Sequence, residues 1–204
     1  TFTEAATMIL DGLETGFCEA DGKYVKQPRR EIRPRPYKSF KGRTYAAAVS
    51  PESSKIMAEL GVGILIIPQK PWDHVEKEMN DYRAIYREVN GEEAPAPILG
   101  GWTYCDESAD RAEEMAYQYI GGYYRSVIEH YEMASDHLKS TKGYETYGAM
   151  VDHVTKNLED VVRFFMSIQV YGTPKQCLER IQDFTARTGA GAYNGVFSYG
   201  GMPY

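Results

Sequence analysis

The stretch Arg43-Thr44-Tyr45-Ala46-Ala47-Ala48-Val49-Ser50-Pro51-Glu52-Ser53-Ser54-Lys55 constrains this chain more than any other. Tyr45 to Val49 is a short, continuous apolar run, the pattern of a parallel strand covered on both faces. Ser50 follows as a helix N-cap. Pro51 takes the first helical position, where its missing N–H costs nothing. Ile56, Met57 and Leu60 keep helical spacing, and Gly61 stops the helix. A strand that runs straight into a helix leaves backbone N–H groups and the hydroxyls of Ser50 and Ser53 at the strand's carboxyl end. Unpaired N–H donors at the positive end of a helix dipole form an anion site. A phosphate there would gain roughly 1.5–3 kcal/mol per charge-assisted hydrogen bond. The same residues also fit an ordinary N-cap that binds nothing, which is the commoner case.

The pattern recurs along the chain. A first helix is expected over about 2–15, from the stripe Phe2, Ala5, Ala6, Ile9, Leu10 and Leu13. Two short strand-like pieces between Phe17 and Gln27 flank the turn signal Asp21-Gly22, and Pro28, Pro34 and Pro36 continue as an extended connection. Strand 43–49 and helix 51–60 come next, then a second apolar run, Val62 to Ile67, and a helix over roughly 71–90. Pro95 to Tyr104 is the third strand. A long helical region covers about 107–165, with a kink at Gly121-Gly122 and a loop without periodicity at 135–148. A further helix opens on Thr173 as N-cap with Pro174 first inside, and Gly189 closes it; Tyr193 to Tyr199 is the last strand. Apolar strands alternating with helices specify an α/β fold with a parallel sheet. No G-x-G-x-x-G or G-x-x-x-x-G-K sequence follows a strand, so neither a Rossmann nor a P-loop site has support. Four β/α units fit about half of an eight-unit barrel, which typically takes ~250 residues.

Hydrophobic content of 43% and charged content of 25% are those of a globular protein. The net charge of −6 argues against general nucleic-acid binding. Arg29, Arg30, Arg33 and Arg35 form a basic cluster that Glu31 and Pro34 interrupt, and a solvated loop explains it. Cys18, Cys105 and Cys177 are scattered and odd in number, which points to a reducing, cytoplasmic compartment and away from a disulfide framework or a structural zinc. No signal peptide or membrane-length apolar run is visible, so no membrane partner is expected. Both ends read as cut: the chain opens on a helix stripe and closes at Gly200-Gly201-Met202-Pro203-Tyr204, directly after a strand.

Several short pieces, in order and spread over nearly the whole chain, resemble the luciferase-like flavin monooxygenase family, the group of bacterial luciferase and alkanesulfonate monooxygenase. They are Phe17-x₄-Gly22-Lys23-Tyr24, Ile32-Arg33-Pro34-Arg35-Pro36, Ala47-Ala48-Val49-Ser50-Pro51-Glu52-Ser53, Gly61-Val62-Gly63, Tyr171-Gly172-Thr173-Pro174 and Phe197-Ser198-Tyr199-Gly200-Gly201-Met202-Pro203. The resemblance implies a (β/α)₈ TIM barrel. Residues 1–204 would be the C-terminal half of that single domain, strands five to eight, with a long helical insertion before the last strand. It implies a flavin-dependent monooxygenase that uses reduced FMN and O₂ on a small organic substrate. The alternatives are a deazaflavin-dependent oxidoreductase working by hydride transfer, or a non-catalytic flavin-binding protein. Ser50 and Ser53 become phosphate ligands by this resemblance, with backbone contacts from Val49, Ser50, Pro51, Glu52 and Ser53. A separate flavin reductase is the implied partner.

The catalytic residues are not identified. Trp102, Thr103 and Tyr104, with Ser198 and Tyr199, lie at the carboxyl ends of strands. Trp102 and Tyr199 are the candidates for substrate contact, though aromatic packing explains them as well. His74, His130, His137 and His153 follow no strand and fit surface or structural roles. The loop 136–148 is expected to close over the active-site mouth. Half a barrel exposes apolar runs at its edges, so a homo-oligomer is expected, and the 204 residues by themselves are expected to bind flavin weakly and oxidise nothing.

Overall fold

The structure is a computed structural model that describes residues 2–48, 50–135, 137, 140, 151 and 156–203. The chain forms two compact units, residues 1–67 with 76–98, and residues 68–75 with 99–204. Among the described residues the elements are α1 (Phe2–Thr15), β1 (Phe17–Asp21), β2 (Lys26–Glu31), β3 (Tyr45–Ala47), α2 (Pro51–Glu59), β4 (Gly63–Ile66), α3 (Trp72–Asn90), β5 (Ile98–Cys105), α4 (Ala109–His130), α5 (Leu158–Ser167), β6 (Val170–Gly172), α6 (Pro174–Thr188) and β7 (Ala192–Val196).

In the first unit β1 and β2 form an antiparallel ribbon. The connection is longer than the two-residue turn expected at Asp21-Gly22. The Glu4 carboxylate of α1 accepts the N–H groups of Lys23, Tyr24 and Val25 at 3.2, 2.9 and 3.0 Å, and these bonds shape it. Three backbone hydrogen bonds hold the Glu4 carboxyl below its usual range, the bond from Tyr24 most of all. Pro28 lies inside β2, where an extended connection was expected; the pairing register slips between Cys18 and Ala20. A proline cannot donate to a ladder, and such an irregularity accommodates it.

β3 and β4 pair in parallel, Tyr45 with Gly63 through Ala47 with Leu65. β4 is buried along most of its length, as its continuous apolar run predicts. β3 is three residues long and not covered on both faces: Ala47 is exposed, and Tyr45 and Ala46 are half-buried. Its small alanines cannot fill a two-sided core without neighbours on both sides. The core here gathers Met57 and Ala58 of α2, Val62, Ile64 and Ile66, and Met79, Tyr82 and Tyr86 of α3. The Tyr82 hydroxyl donates to the Val62 carbonyl at 2.8 Å, and the Asn90 amide donates to the Ala58 carbonyl at 2.8 Å.

In the second unit β5 and β6 are parallel, Thr103 with Val170 through Cys105 with Gly172, and β7 also pairs with β5. The strand β6 was not expected from the sequence, because three residues before a helix cap carry no period. The burial of β5 alternates rather than running continuously. Trp102 packs on Tyr123 and Phe165, with ring centroids 4.7 and 5.4 Å apart, and Tyr124 stacks on Phe165 at 3.9 Å. Ala116, Ile120, Val162, Phe165, Met166 and Tyr199 form the buried centre of that cluster. Ser108 caps α4, accepting the Arg111 N–H. Thr173 and Gln176 form a full capping box on α6, and Gly189 closes that helix in the left-handed conformation. Gly200 has φ +60°, and a Cβ there would meet the Tyr119 carbonyl oxygen at 2.5 Å, so the chain passes α4 at a distance only glycine allows. The loop expected to act as a lid lies outside the described residues apart from His137 and Ser140.

Candidate functional site

The helix side of the strand-to-helix junction is capped as its sequence predicts, while β3 ends at Ala47, before the expected Val49. Ser50 has extended backbone (φ −115°, ψ 154°), and its Oγ accepts the Ser53 N–H at 3.2 Å. The two hydroxyls of Ser50 and Ser53 are 2.8 Å apart. The Ser54 N–H donates to the Ser50 carbonyl at 3.0 Å. Pro51 contributes no donor, and the Glu52 N–H precedes any intrahelical acceptor. One of the paired hydroxyls donates to the other, so a hydroxyl hydrogen remains for an acceptor arriving at the helix end. Ser50 and Ser53 are half-buried, and Pro51 and Glu52 are exposed. Val49 lies outside the described residues. α2 has nine residues, enough for its aligned amides to favour negative charge at this end.

Ser54 points elsewhere. It shares the buried face of α2 with Met57 and Ala58, at helical spacing, and its Oγ is buried with no hydrogen-bond partner. The run of three hydroxyl residues is therefore split by the helix period, with Ser50 and Ser53 at the solvent-reachable end and Ser54 against the core.

Trp102 and Tyr199 belong to the second unit, and the structure places both in its aromatic cluster. Trp102 is half-buried. Tyr199 is buried and spends its hydroxyl on the Thr103 carbonyl at 2.9 Å, while burial pushes its titration upward. Thr103 also binds the Tyr193 hydroxyl through Oγ1 at 2.7 Å. Gln169, which the sequence did not single out, is fully buried. Its Oε1 accepts the Trp102 N–H at 3.2 Å, and its Nε2 donates to the Pro68 carbonyl at 3.3 Å. A glutamine between two hydrophobic segments gives no periodic signal, so its role becomes visible only once the strands are placed.

His74, His130 and His137 are exposed; His130 bonds the Ser126 carbonyl through Nδ1 at 2.7 Å, and His153 lies outside the described residues. Among the described residues no group of three or more His, Cys, Asp or Glu side chains could hold a metal ion. Among them, too, no helix is long and apolar enough to cross a membrane.

An open hollow in the second unit was not visible in the sequence. Cys105, Asp106, Glu107, Arg111 and Pro174 line an open depression of about 430 Å³ at the carboxyl end of β5. Asp106 accepts the Ser108 N–H at 3.0 Å and pairs with Arg111 at 3.3 Å, and its own N–H donates to the Gly172 carbonyl at 3.1 Å.

The family described as luciferase-like monooxygenase matches residues 1–191 of this chain. The alkanal monooxygenase alpha chain of Photorhabdus luminescens is 25% identical over 191 residues, covering 89% of this chain and 52% of its own length. That of Aliivibrio fischeri is 26% identical with the same coverage. The chain thus spans about half the length of these relatives. Among solved structures, the oxygenating constituent of 3,6-diketocamphane monooxygenase from the CAM plasmid of Pseudomonas putida, in complex with FMN, matches with a TM-score of 0.62 and 16% identity, over 96% of this chain and 55% of that one. The coenzyme F420 dependent tetrahydromethanopterin reductase of Methanopyrus kandleri matches with a TM-score of 0.61 and 21% identity, over 95% and 56%. These likenesses bear out the expected fold class, α/β of the (β/α)₈-barrel type, with this chain corresponding to about half of each matched structure.

Proposed function

Because the chain belongs to the luciferase-like monooxygenase family, we propose that it serves a flavin-dependent monooxygenase that uses reduced FMN and O₂ to oxidise a small organic substrate. The observation that carries this reading is the hydroxyl pair of Ser50 and Ser53 at the N-terminus of α2. A phosphate fits that donor set: two adjacent hydroxyls, a first-turn amide and the positive end of a nine-residue helix. Ser50 and Ser53 would hold the FMN phosphate, with backbone contacts from Val49, Pro51 and Glu52. Bound reduced FMN supplies the electrons for O₂ activation. The residues of this chain hold the cofactor and supply fixed walls. Trp102 and Tyr199 are the proposed substrate-side residues. The aromatic cluster holds both in place, so their contribution is a rigid apolar surface rather than acid–base chemistry. A separate flavin reductase supplies the reduced cofactor in this reading, and a deazaflavin in hydride transfer is the second cofactor to test.

FMN, riboflavin and a deazaflavin cofactor are titrated against the full-length protein and against its Ser50→Ala/Ser53→Ala variant. FMN is expected to bind more tightly than riboflavin, and the double substitution to erase that preference, a loss on the order of 2–4 kcal/mol for two hydrogen bonds to a charged group. Equal binding of FMN and riboflavin by the unaltered chain would overturn the phosphate assignment. Tighter binding of the deazaflavin cofactor than of FMN would move the reading to hydride transfer.

A further inference from the structure

β6 brings two cysteines together that the sequence separates widely. Cys105 is the last residue of β5, and its register partner on β6 is Gly172. Cys177 lies in the first turn of α6, where its N–H donates to the Thr173 carbonyl at 2.8 Å. The Cys177 thiol donates to the Gly172 carbonyl at 3.5 Å and to the Tyr104 carbonyl at 3.6 Å, the residues paired with and preceding Cys105. The Cys177 thiol thus lies against the backbone at the Cys105 register pair, and Cys105 is near enough to help push its titration up. The two thiols differ in setting: Cys105 is exposed on the wall of the 430 Å³ depression, and Cys177 is buried behind it. Cys18, the third thiol, belongs to the other unit.

We propose that Cys105 and Cys177 form a redox-active dithiol, a modification site at which a hydroperoxide converts the pair to an intramolecular disulfide. Cys105 reacts first, because the open depression admits the oxidant to it. Its thiolate sulfur attacks one peroxide oxygen, the O–O bond breaks, and a sulfenic acid forms while water or an alcohol leaves. The Cys177 sulfur then attacks the Cys105 sulfur. The S–O bond breaks, and the departing hydroxide takes the Cys177 proton and leaves as water. Two thiols are oxidised by two electrons, and one hydroperoxide is reduced. Burial, with the neighbouring Cys105, pushes the Cys177 thiol up to about 11, so Cys177 stays protonated until its partner has been oxidised. Asp106, paired with Arg111, and Glu107 surround the exposed thiol, and Arg180 is the charged neighbour of the buried one. The disulfide would tie the carboxyl end of β5 to the first turn of α6.

The test treats the folded chain with stoichiometric hydrogen peroxide, blocks free thiols, digests, and reads the peptides by mass spectrometry. A peptide pair joined through Cys105 and Cys177 is expected, with Cys18 carrying the blocking group and dithiothreitol releasing the link. In Cys177→Ala the sulfenic acid should persist on Cys105 and be trapped by a diketone probe. In Cys105→Ser the buried Cys177 should remain a thiol at the same peroxide dose. Native protein in which Cys105 is trapped as sulfenic acid beside an unreacted Cys177 would overturn the proposal. So would oxidation of Cys177 in the Cys105→Ser variant, or no loss of thiols at all. Circular dichroism on each variant shows that the comparison is made on folded protein.

Discussion

Gln169 and Ser54 are both buried polar residues, and they stand on opposite sides of the energy balance. Gln169 spends both ends of its amide, on the Trp102 N–H and on the Pro68 carbonyl. Replacing it with leucine removes two partners at once and leaves each group to bear its desolvation, roughly 1–3 kcal/mol apiece. The Gln169→Leu chain is therefore expected to unfold at clearly lower urea concentration. Ser54 carries a buried hydroxyl without a partner. Its loss in Ser54→Ala removes a desolvated group and adds helix propensity, so a gain of about 1 kcal/mol is expected in the same measurement. A decrease for Ser54→Ala would mean that the hydroxyl is satisfied in solution. Ser50→Ala has a third outcome: loss of the N-cap costs about 1 kcal/mol of stability whatever binds at the helix end. A stability loss alone therefore says nothing about phosphate, which is why the FMN titration carries riboflavin as its control.

At the scale of elements, a polar clamp joins α4 to α5. Arg125 bonds the Glu159 carboxylate through Nε at 3.1 Å and a terminal nitrogen at 2.7 Å, and the Tyr117 hydroxyl donates to the same carboxylate at 2.6 Å. These bonds, from Arg125 first and then Tyr117, lower the Glu159 carboxyl from its ordinary 4.5 to about 2. A carboxyl depressed in the folded state stabilises above its unfolded value and loses that contribution as pH falls through the folded one. The unaltered chain should thus lose helix–helix stability between about pH 4.5 and pH 2, and Glu159→Gln should flatten that limb of an acid titration followed by tryptophan fluorescence. The carboxylate is half exposed, so solvent screening keeps the effect modest. This clamp was invisible in the sequence, because its members sit on two helices. Boundary signals were legible instead. Ser50-Pro51, Thr173-Pro174 and Gly189 mark α2 and α6 correctly, since caps act within one turn of the chain. The misses share one cause. β6, the course of β2 through Pro28, and the half-exposed β3 depend on which strand lies alongside, and a local pattern does not encode that. The same holds for the site residues: the Ser50–Ser53 pair is local and was read, whereas Cys105 and Cys177 meet only through strand pairing.

For the whole molecule, two surface features bear on self-association and respond to salt in opposite ways. The first is apolar. Phe2 and Ile9 on α1 are more than half or half exposed, at 57% and 50%, and Leu178 on α6 and Phe197 after β7 stand at 55% and 62%. Single exposed side chains are ordinary, but Phe2, Ile9 and Leu178 belong to helix stripes whose period calls for a covering partner, and Phe197 follows directly on β7. The second is charge. Nine of the 23 Lys and Arg residues fall between residues 23 and 43, where Glu31 is the one acid, so the rest of a chain with net charge −6 is strongly acidic. A basic segment and an acidic remainder can attract one another between copies, but salt near 1 M shortens the Debye length to about 3 Å and removes that attraction. Apolar contact is not screened and strengthens with excluded salts. Association is expected to be apolar in origin: light scattering on the chain at micromolar concentration should show a dimer or larger species that persists from low salt to 1 M. Phe197→Ser with Leu178→Ser should shift it toward monomer. A species that dissolves in salt and survives those two substitutions would assign the contact to the segment 23–43, and a monomer under all conditions would show that the exposed stripes need no partner.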